Sequence, residues 1–259
     1  MKVKRQAQLN NYITQHGICS YKELMTHFDV SPSTIRRDIE QLVILGAIEK
    51  RHGGVVARSI EQSDITTSTQ NLSPATITND SKDAIARKAS YLVNDNEVIF
   101  LGSGSTVAYM VPYLKDRHGI TIISNNLLVI TAAAHYNLTS MIIGGTLNSD
   151  TMSVVGFQSL AQLRTLNVNK AFIGCNGITL SGCITNTSEA EAHIKREVMK
   201  ISNKCYLLTE HSKFDQMALY TFADLRDFTA TITDQYPSHE FMDMYQHIGQ
   251  EIIIASPVC

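Results

Sequence analysis

Near the N-terminus two helix starts, at Ser20 and at Ser31, stand so close together that the helices they open can bury almost nothing alone. Ser20-Tyr21-Lys22-Glu23 fits a capping box, in which a hydroxyl and a carboxylate satisfy backbone donors at a helix start. That helix would turn Leu24, Met25 and Phe28 inward. Ser31 is a good N-cap, Pro32 sits where a missing N–H costs nothing, and Ile35, Ile39 and Leu42 follow on one face until Gly46. An earlier helix carries Leu9, Tyr12 and Ile13 and ends at Gly17. The short helices joined by Asp29-Val30 must therefore share one small core with the first, which is the helix-turn-helix arrangement.

The face opposite Ile35 and Ile39 exposes Ser33, Thr34, Arg36, Arg37 and Gln41, a mixture able to contact phosphates and base edges in a major groove. A solvated charged face is the alternative for an isolated Arg-Arg pair; its place at the start of a capped helix favours the groove. After Gly46, Ala47 to Arg51 and Val55 to Arg58 flank His52-Gly53-Gly54 and read as a hairpin with a glycine turn, a wing beside the recognition helix. Candidate DNA contacts are thus Tyr21 and Lys22, then Ser31, Ser33, Thr34, Arg36, Arg37 and Gln41, then Lys50, Arg51, His52 and Gly53 of the wing. Charge runs the same way. Residues 1–58 carry nine Lys or Arg against five acids, net +4, while the rest carries 13 against 19, net −6. A basic head on an acidic body suits a phosphate-backbone partner at the head only.

Residues 59–79 are rich in Ser, Thr, Asn and Gln and read as a linker between a head, 1–58, and a larger domain, 80–259. Helical periodicity returns over Ser81 to Val93. Seven β-rich runs then alternate with helical stretches: Val98–Leu101, Ile120–Ser124, Ser140–Ile143, Ala171–Gly174, Cys205–Thr209, Thr229–Thr233 and Glu251–Ile254. The expected fold is α/β, a small winged helix-turn-helix followed by a layered domain with a largely parallel sheet. Ligands on such sheets sit beyond the carboxyl ends of strands. The first of these ends is Gly102-Ser103-Gly104-Ser105-Thr106, followed by a helical run from Val107 to Leu114. Glycines let consecutive N–H groups face inward, hydroxyls add donors and a helix dipole favours an anion, although a plain tight turn fits a lone Gly-x-Gly equally well. Ser124-Asn125-Asn126, Gly144-Gly145 and Gly174-Cys175-Asn176-Gly177 follow later strands and complete a polar small-molecule pocket. Glu191 and Lys195 stand i, i+4 on one helix, where an ordinary ion pair competes with ligand contact. Lys213 is a candidate second clamp on an anion, or a solvated lysine.

Five cysteines, Cys19, Cys175, Cys183, Cys205 and Cys259, form no Cys-x-x-Cys pair and read as reduced packing residues. No apolar run approaches the roughly 20 residues of a membrane span, and no signal-peptide core follows the basic first residues, so a cytoplasmic chain with no membrane partner is expected. His193 and His211 lack ligand spacing, so no metal site and no cofactor is expected.

The string Val30 to Ile39, with Leu42, Gly46 and Arg51-His52-Gly53-Gly54, resembles the signature of the DeoR family of bacterial repressors. The likeness continues through the glycine-serine-threonine loop, Asn after the second strand, Gly144-Gly145, Asn176-Gly177, Glu191 with Lys195, and Ser212-Lys213-Phe214; family members often carry Asp where Asn176 and Glu210 stand. The resemblance implies a repressor of a carbohydrate operon whose sensor domain, similar in fold to ribose-5-phosphate isomerase, binds a phosphorylated sugar or related metabolite and changes affinity for double-stranded operator DNA. Paired heads would fit half-sites about one DNA turn, roughly 34 Å, apart, so a homodimer or homotetramer is expected. The rival is an isomerase with an accessory head. Such chemistry needs a general base, and where those isomerases carry an acid-rich Asp-Gly-Ala-Asp-Glu segment this chain has Cys175-Asn176-Gly177-Ile178-Thr179. No catalytic residue is assigned.

Overall fold

The computed structural model describes residues 80–255 throughout and, ahead of them, residues 9, 12, 13, 18–28, 30–32, 34, 35, 38, 39, 48–51 and 54–57. The chain divides into two compact units, Met1–Thr66 and Thr67–Cys259.

In the first unit the capping box forms as expected. Ser20 N–H donates to Glu23 Oε2 at 2.7 Å and Glu23 N–H to Ser20 Oγ at 3.2 Å, opening α1, Tyr21–Phe28. Ser31 caps the next helical segment, accepting from Thr34 N–H through its hydroxyl and from Ile35 N–H through its carbonyl. Leu9, Ile13, Cys19, Leu24, Ile35, Ile39 and Val55 form one shared core. Strands β2, Ile48–Arg51, and β3, Gly54–Ala57, pair antiparallel as the hairpin. The sequence reading missed a third strand, β1, Ile18–Ser20, which pairs with β3 and widens the hairpin to the order β1-β3-β2. Three residues between a glycine and a helix cap carry no readable alternation, and only the partner strand makes them a strand.

In the second unit α2, Asp80–Ser90, precedes seven parallel strands, each lying at one of the seven β-rich runs: β4, Val98–Leu101; β5, Thr121–Ser124; β6, Ser140–Ile142; β9, Val168–Gly174; β12, Ser202–Leu208; β14, Ala230–Thr233; and β15, Glu251–Ile254. Their order is β15-β14-β12-β9-β4-β5-β6, and every neighbouring pair is parallel. Side chains alternate across the sheet. Ile99 and Leu101 enter one apolar cluster with α2 and with α4, Leu127–His135; Phe100 enters another with α5, Phe157–Leu163, α6, Glu189–Lys200, and α7, His239–Ile248. A helix layer thus covers each face. Two additions were not legible in sequence: a hairpin of β7, Thr146–Asn148, with β8, Ser153–Val155, and a small antiparallel sheet of β10, Gly177–Ile178, β11, Cys183–Asn186, and β13, Tyr220–Asp224.

One expectation needs correction. The helical run from Val107 to Leu114 is broken into α3, Ser105–Ala108, and a 3-10 turn, Val111–Leu114. Pro112 has no N–H to bond the carbonyl four residues back and its ring crowds that carbonyl, which disfavours a regular α-helix through it, and Pro112 sits instead in the first turn of the 3-10 segment.

Candidate functional site

The strand order reverses between β4 and β9, because the chain winds outward through β5 and β6 and then returns to the other side of β4. Diverging connections leave a crevice beyond the carboxyl ends at such a point. Gly102, Ser103 and Gly104 leave β4 there. Gly102 N–H donates to Phe172 O of β9 at 2.9 Å, and a Cβ on Gly102 would stand 3.2 Å from that oxygen, so the loop hugs β9 through the missing side chain. A Cβ on Gly174 would reach both Ser103 O and Leu208 O at 3.7 Å, which places the ends of β4, β9 and β12 together. Gly102 and Ser103 are buried, Gly104 is exposed at φ +126°, and Ser105 and Thr106 are half-buried. α3 spans only four residues, so the dipole expected to favour an anion is small and the loop's N–H and O–H groups are the donors on offer.

On the same sheet edge, Cys175 Sγ lies 3.5 Å from Thr209 Oγ1, with Lys195 and Lys213 close enough to act on it electrostatically. Burial pushes the thiol up, and the threonine and the two ammonium groups offset that only in part. Lys195 is itself buried; its Nζ donates to Asn186 Oδ1 at 2.5 Å and stands 5.1 Å from the Phe222 ring centroid. Asn186 Nδ2 in turn donates to Glu191 Oε2 at 3.3 Å, and Ser153 Oγ donates to Glu191 Oε1 at 2.7 Å. The i, i+4 pair is therefore not the direct helical ion pair its spacing suggests. Asn186 stands between the two charges inside the protein. Burial raises the Glu191 carboxyl, but Lys195 and the Thr151, Ser153 and Asn186 hydrogen bonds outweigh it and hold it below the ordinary carboxylate range. Burial drives the Lys195 ammonium below the ordinary lysine value despite Glu191.

Ser124, Asn125 and Asn126 reach this network from β5, but their side chains are fully buried. Ser124 Oγ donates to Leu101 O and accepts from Asn126 N–H; Asn125 Nδ2 donates to Val154 O; Asn126 Oδ1 caps α4 by accepting from Leu128 N–H. Asn125 Oδ1 and Asn126 Nδ2 have no hydrogen-bond partner. Asn176 is exposed, and its Oδ1 accepts from Thr187 N–H at 3.1 Å, bracing the turn into α6. Gly144 and Gly145, after β6, pack against α5 and β8: Gly144 O accepts from Ser159 Oγ, and a Cβ on Gly145, at φ +152°, would stand 2.3 Å from that Oγ and 2.6 Å from Val155 O. Gly177 is equally cramped, with Gln216 O 2.3 Å from its added Cβ.

Two residues the sequence reading passed over, Lys82 and Asp234, join the crevice at β12 and β14. Lys82 of α2 is buried with Nζ 3.9 Å from Glu210 Oε1. Asp234, buried after β14, accepts from His211 N–H at 2.7 Å through Oδ1, and its Oδ2 lies 2.7 Å from His211 Nδ1. Lys213 belongs to the same turn, His211–Lys213. The burial of Lys82 has no local signature in the sequence; the ion pair is with Glu210, far along the chain. An open depression of about 350 Å³ lined by Arg196, Met199, Lys200, Phe222 and Asp227 contains none of the residues read from sequence.

Of the candidate DNA contacts, Tyr21 and Lys22 open α1, Ser31 and Thr34 form the next cap, and Lys50 and Arg51 end β2. Ser33, Arg36, Arg37, Gln41, His52 and Gly53 lie outside the described residues, as do Gly17, Gly46 and the 59–79 segment. Among the described residues no group of three or more His, Cys, Asp or Glu could hold a metal ion, and no helix is long and apolar enough to cross a membrane.

Residues 5–61 match the DeoR-like helix-turn-helix domain, and residues 77–235 match the DeoR C terminal sensor domain. The chain belongs to the DeoR family. Relatives in that family include the HTH-type transcriptional regulator IolR of Bacillus subtilis, 37% identical over 93% of this chain and 94% of its own. The L-fucose operon activator of Haemophilus influenzae is 32% identical over 86% and 88%, and the glycerol-3-phosphate regulon repressor of Escherichia coli 28% over 93% and 94%. Ribose 5-phosphate isomerase A of Methanocaldococcus jannaschii aligns over 51% of this chain and 53% of its own at 21% identity, with a TM-score of 0.39. This DeoR-family protein is a transcriptional regulator with a DNA-binding head and a domain that senses a small-molecule effector. The isomerase alternative is not favoured, since the relatives are regulators of transcription.

Proposed function

We propose that this regulator represses a carbohydrate-metabolism operon in the cytoplasm and that a phosphorylated sugar or related metabolite modulates its affinity for operator DNA. The observation that carries the effector reading is the convergence of the β4, β9 and β12 ends at the point where strand order reverses. There the Gly102–Thr106 backbone and the Lys213 turn supply donors and positive charge suited to an anionic group. The sugar hydroxyls fall to the polar groups nearby, Asn176 and the Glu191 network among them. Relatives named for an L-fucose operon and a glycerol-3-phosphate regulon support the metabolic assignment. The head, residues 1–58, reads DNA through Thr34, Arg36, Arg37 and Gln41, with Lys22, Lys50, Arg51 and His52 on the backbone; residues 59–79 link it to the sensor, which holds two or four copies together.

The deciding experiment measures melting temperature across a panel of sugar phosphates and the matching free sugars. Ligands bearing an anionic group raise it, and Gly104→Asp, which sets a carboxylate in the loop, removes the shift. Stabilisation by a free sugar alone would overturn the anion role of Gly102 through Thr106. At the head, Arg36→Ala or Arg37→Ala weakens binding to a selected operator by about 1 to 3 kcal/mol and relaxes preference at one base pair; unchanged binding by both variants would sink the recognition-helix assignment.

A further inference from the structure

We infer, on the basis of the sugar-phosphate reading of the crevice, that Asn125 and Asn126 bind hydroxyl groups of the effector beneath the β7–β8 hairpin. Both side chains are fully buried, and each leaves one polar atom without a hydrogen-bond partner among the described residues: Oδ1 of Asn125 and Nδ2 of Asn126. The bonds that the two amides do make fix which atom is left over. Asn126 accepts from Leu128 N–H at 2.9 Å, which only its oxygen can do, so the spare group is the NH2. Asn125 donates to Val154 O at 3.0 Å, which only its nitrogen can do, so the spare group is the carbonyl. Turning either amide over would set donor against donor or acceptor against acceptor. A buried polar atom left in this way costs about 1 to 3 kcal/mol, and a ligand that pairs it recovers that cost.

One spare donor and one spare acceptor select the chemistry. A hydroxyl group both donates and accepts, whereas an ionised phosphate or carboxylate oxygen only accepts and would repel the Asn125 carbonyl. Position selects the same partner. Ser124 is in register with Leu101, and its Oγ donates to Leu101 O at 2.6 Å, so the asparagines leave a strand about 5 Å from the one that opens into Gly102–Thr106. An anion held in that loop leaves a sugar hydroxyl within reach of residues 125 and 126. The cover is the hairpin. β7 and β8 hold three residues each, and a lone two-stranded hairpin is marginally stable. It meets the end of β5 through the antiparallel bridge of Asn126 with Ser153, and Met152 beside that bridge is held at φ +50°, a costly conformation for a residue with a side chain. The hairpin tip lifts to admit the hydroxyl group and closes over it.

The test titrates the full-length protein by calorimetry with inorganic phosphate and with a set of pentose and hexose phosphates. Asn126→Ser keeps a capping oxygen for the Leu128 N–H and deletes the spare NH2 group. Asn126→Asp keeps the same oxygen and puts an acceptor where the donor was. The sugar phosphate that the unmodified protein binds most tightly binds each variant about tenfold more weakly. Inorganic phosphate, too small to reach residue 126 from the loop, binds all three proteins alike. In the unmodified protein the Asn126 side-chain NH2 resonances shift with that sugar phosphate and stay in place with inorganic phosphate. Equal affinity for the sugar phosphate in the unmodified protein and Asn126→Ser, or NH2 resonances that do not move when it binds, would overturn the inference and leave these amides to water alone. The sugar-phosphate reading of the crevice survives both of those results. Binding of no sugar phosphate at all would overturn that reading and this inference together.

Discussion

Asp234 gathers much of the polar order at the crevice onto one buried carboxylate. Burial raises its pKa, but the His211 ring, the His211 backbone N–H and the Ser81 hydroxyl outweigh that and hold it below the ordinary value. A carboxyl depressed on folding contributes stability that is complete above its unfolded pKa, about 4 for aspartate, and is lost as pH falls through the folded value. Thermal unfolding followed downward from about pH 6 therefore shows a steeper loss for the unmodified protein than for Asp234→Asn, which has no such proton to take up. Parallel profiles would deny Asp234 this role. Gly145 is a residue-scale case of the opposite kind, where the side chain that matters is the missing one. Gly145→Ala drives a methyl into Ser159 Oγ and Val155 O at a positive φ. Urea unfolding registers a loss of about 1 to 3 kcal/mol from overpacking and strain.

At the scale of elements, α6 ties the hairpin, the small antiparallel sheet and the crevice together through three side chains. Ser188 caps it, accepting from Glu191 N–H, and one turn later its buried face carries Glu191 and Lys195 around Asn186 of β11. Removing one member of a buried charged set leaves the other without compensation. Lys195→Met or Glu191→Gln alone destabilises by about 3 to 5 kcal/mol, whereas the double variant costs markedly less than the two singles summed. Chemical denaturation of the four proteins checks this; strict additivity would mean that the two charges do not interact. α2 belongs to the same description, because Ser81 and Lys82 in its first turn reach Asp234 and Glu210 at the far side of the crevice. The turn that carries Lys213 is thus held against α2.

For the whole molecule the relevant quantity is the coupling between operator and effector. If a sugar phosphate changes operator affinity by some factor, operator DNA must change affinity for that sugar phosphate by the same factor. Titrations run in both directions, on protein with and without the other ligand, yield equal factors. Unequal ones would mean a linked equilibrium, such as dissociation of copies, sits between the two sites. Salt separates the contributions: a head with net +4 loses operator affinity steeply as salt rises.

Short-range chemistry was enough for some elements and not for others. The Ser20–Glu23 box, the Ser31 cap with Pro32, and the seven β-rich runs were legible because capping and strand composition act within a few residues, and a cap or a strand lies at each of those places, with β9 and β12 starting three residues earlier than read. The Gly102–Ser105 loop was legible for the same reason. What the neighbours do was not. Ser124 to Asn126 read as polar groups at a strand end; that Ser153 and Val154 cover Asn125 and Asn126 and leave them buried was not readable there. The i, i+4 spacing of Glu191 and Lys195 is identical on a wet surface and in a core, and Ser153, Asn186 and Phe222, brought in from separate elements, decide the case. Lys82 became part of the crevice only when β12 carried Glu210 to it. Local sequence thus determined the capped helix starts and the seven strands of the parallel sheet, while tertiary packing decided the short added strands, strand order, which glycines must stay bare and which charges lie in a low dielectric, because hydrogen-bond supply and solvent access at one residue are set by chain tens of residues away.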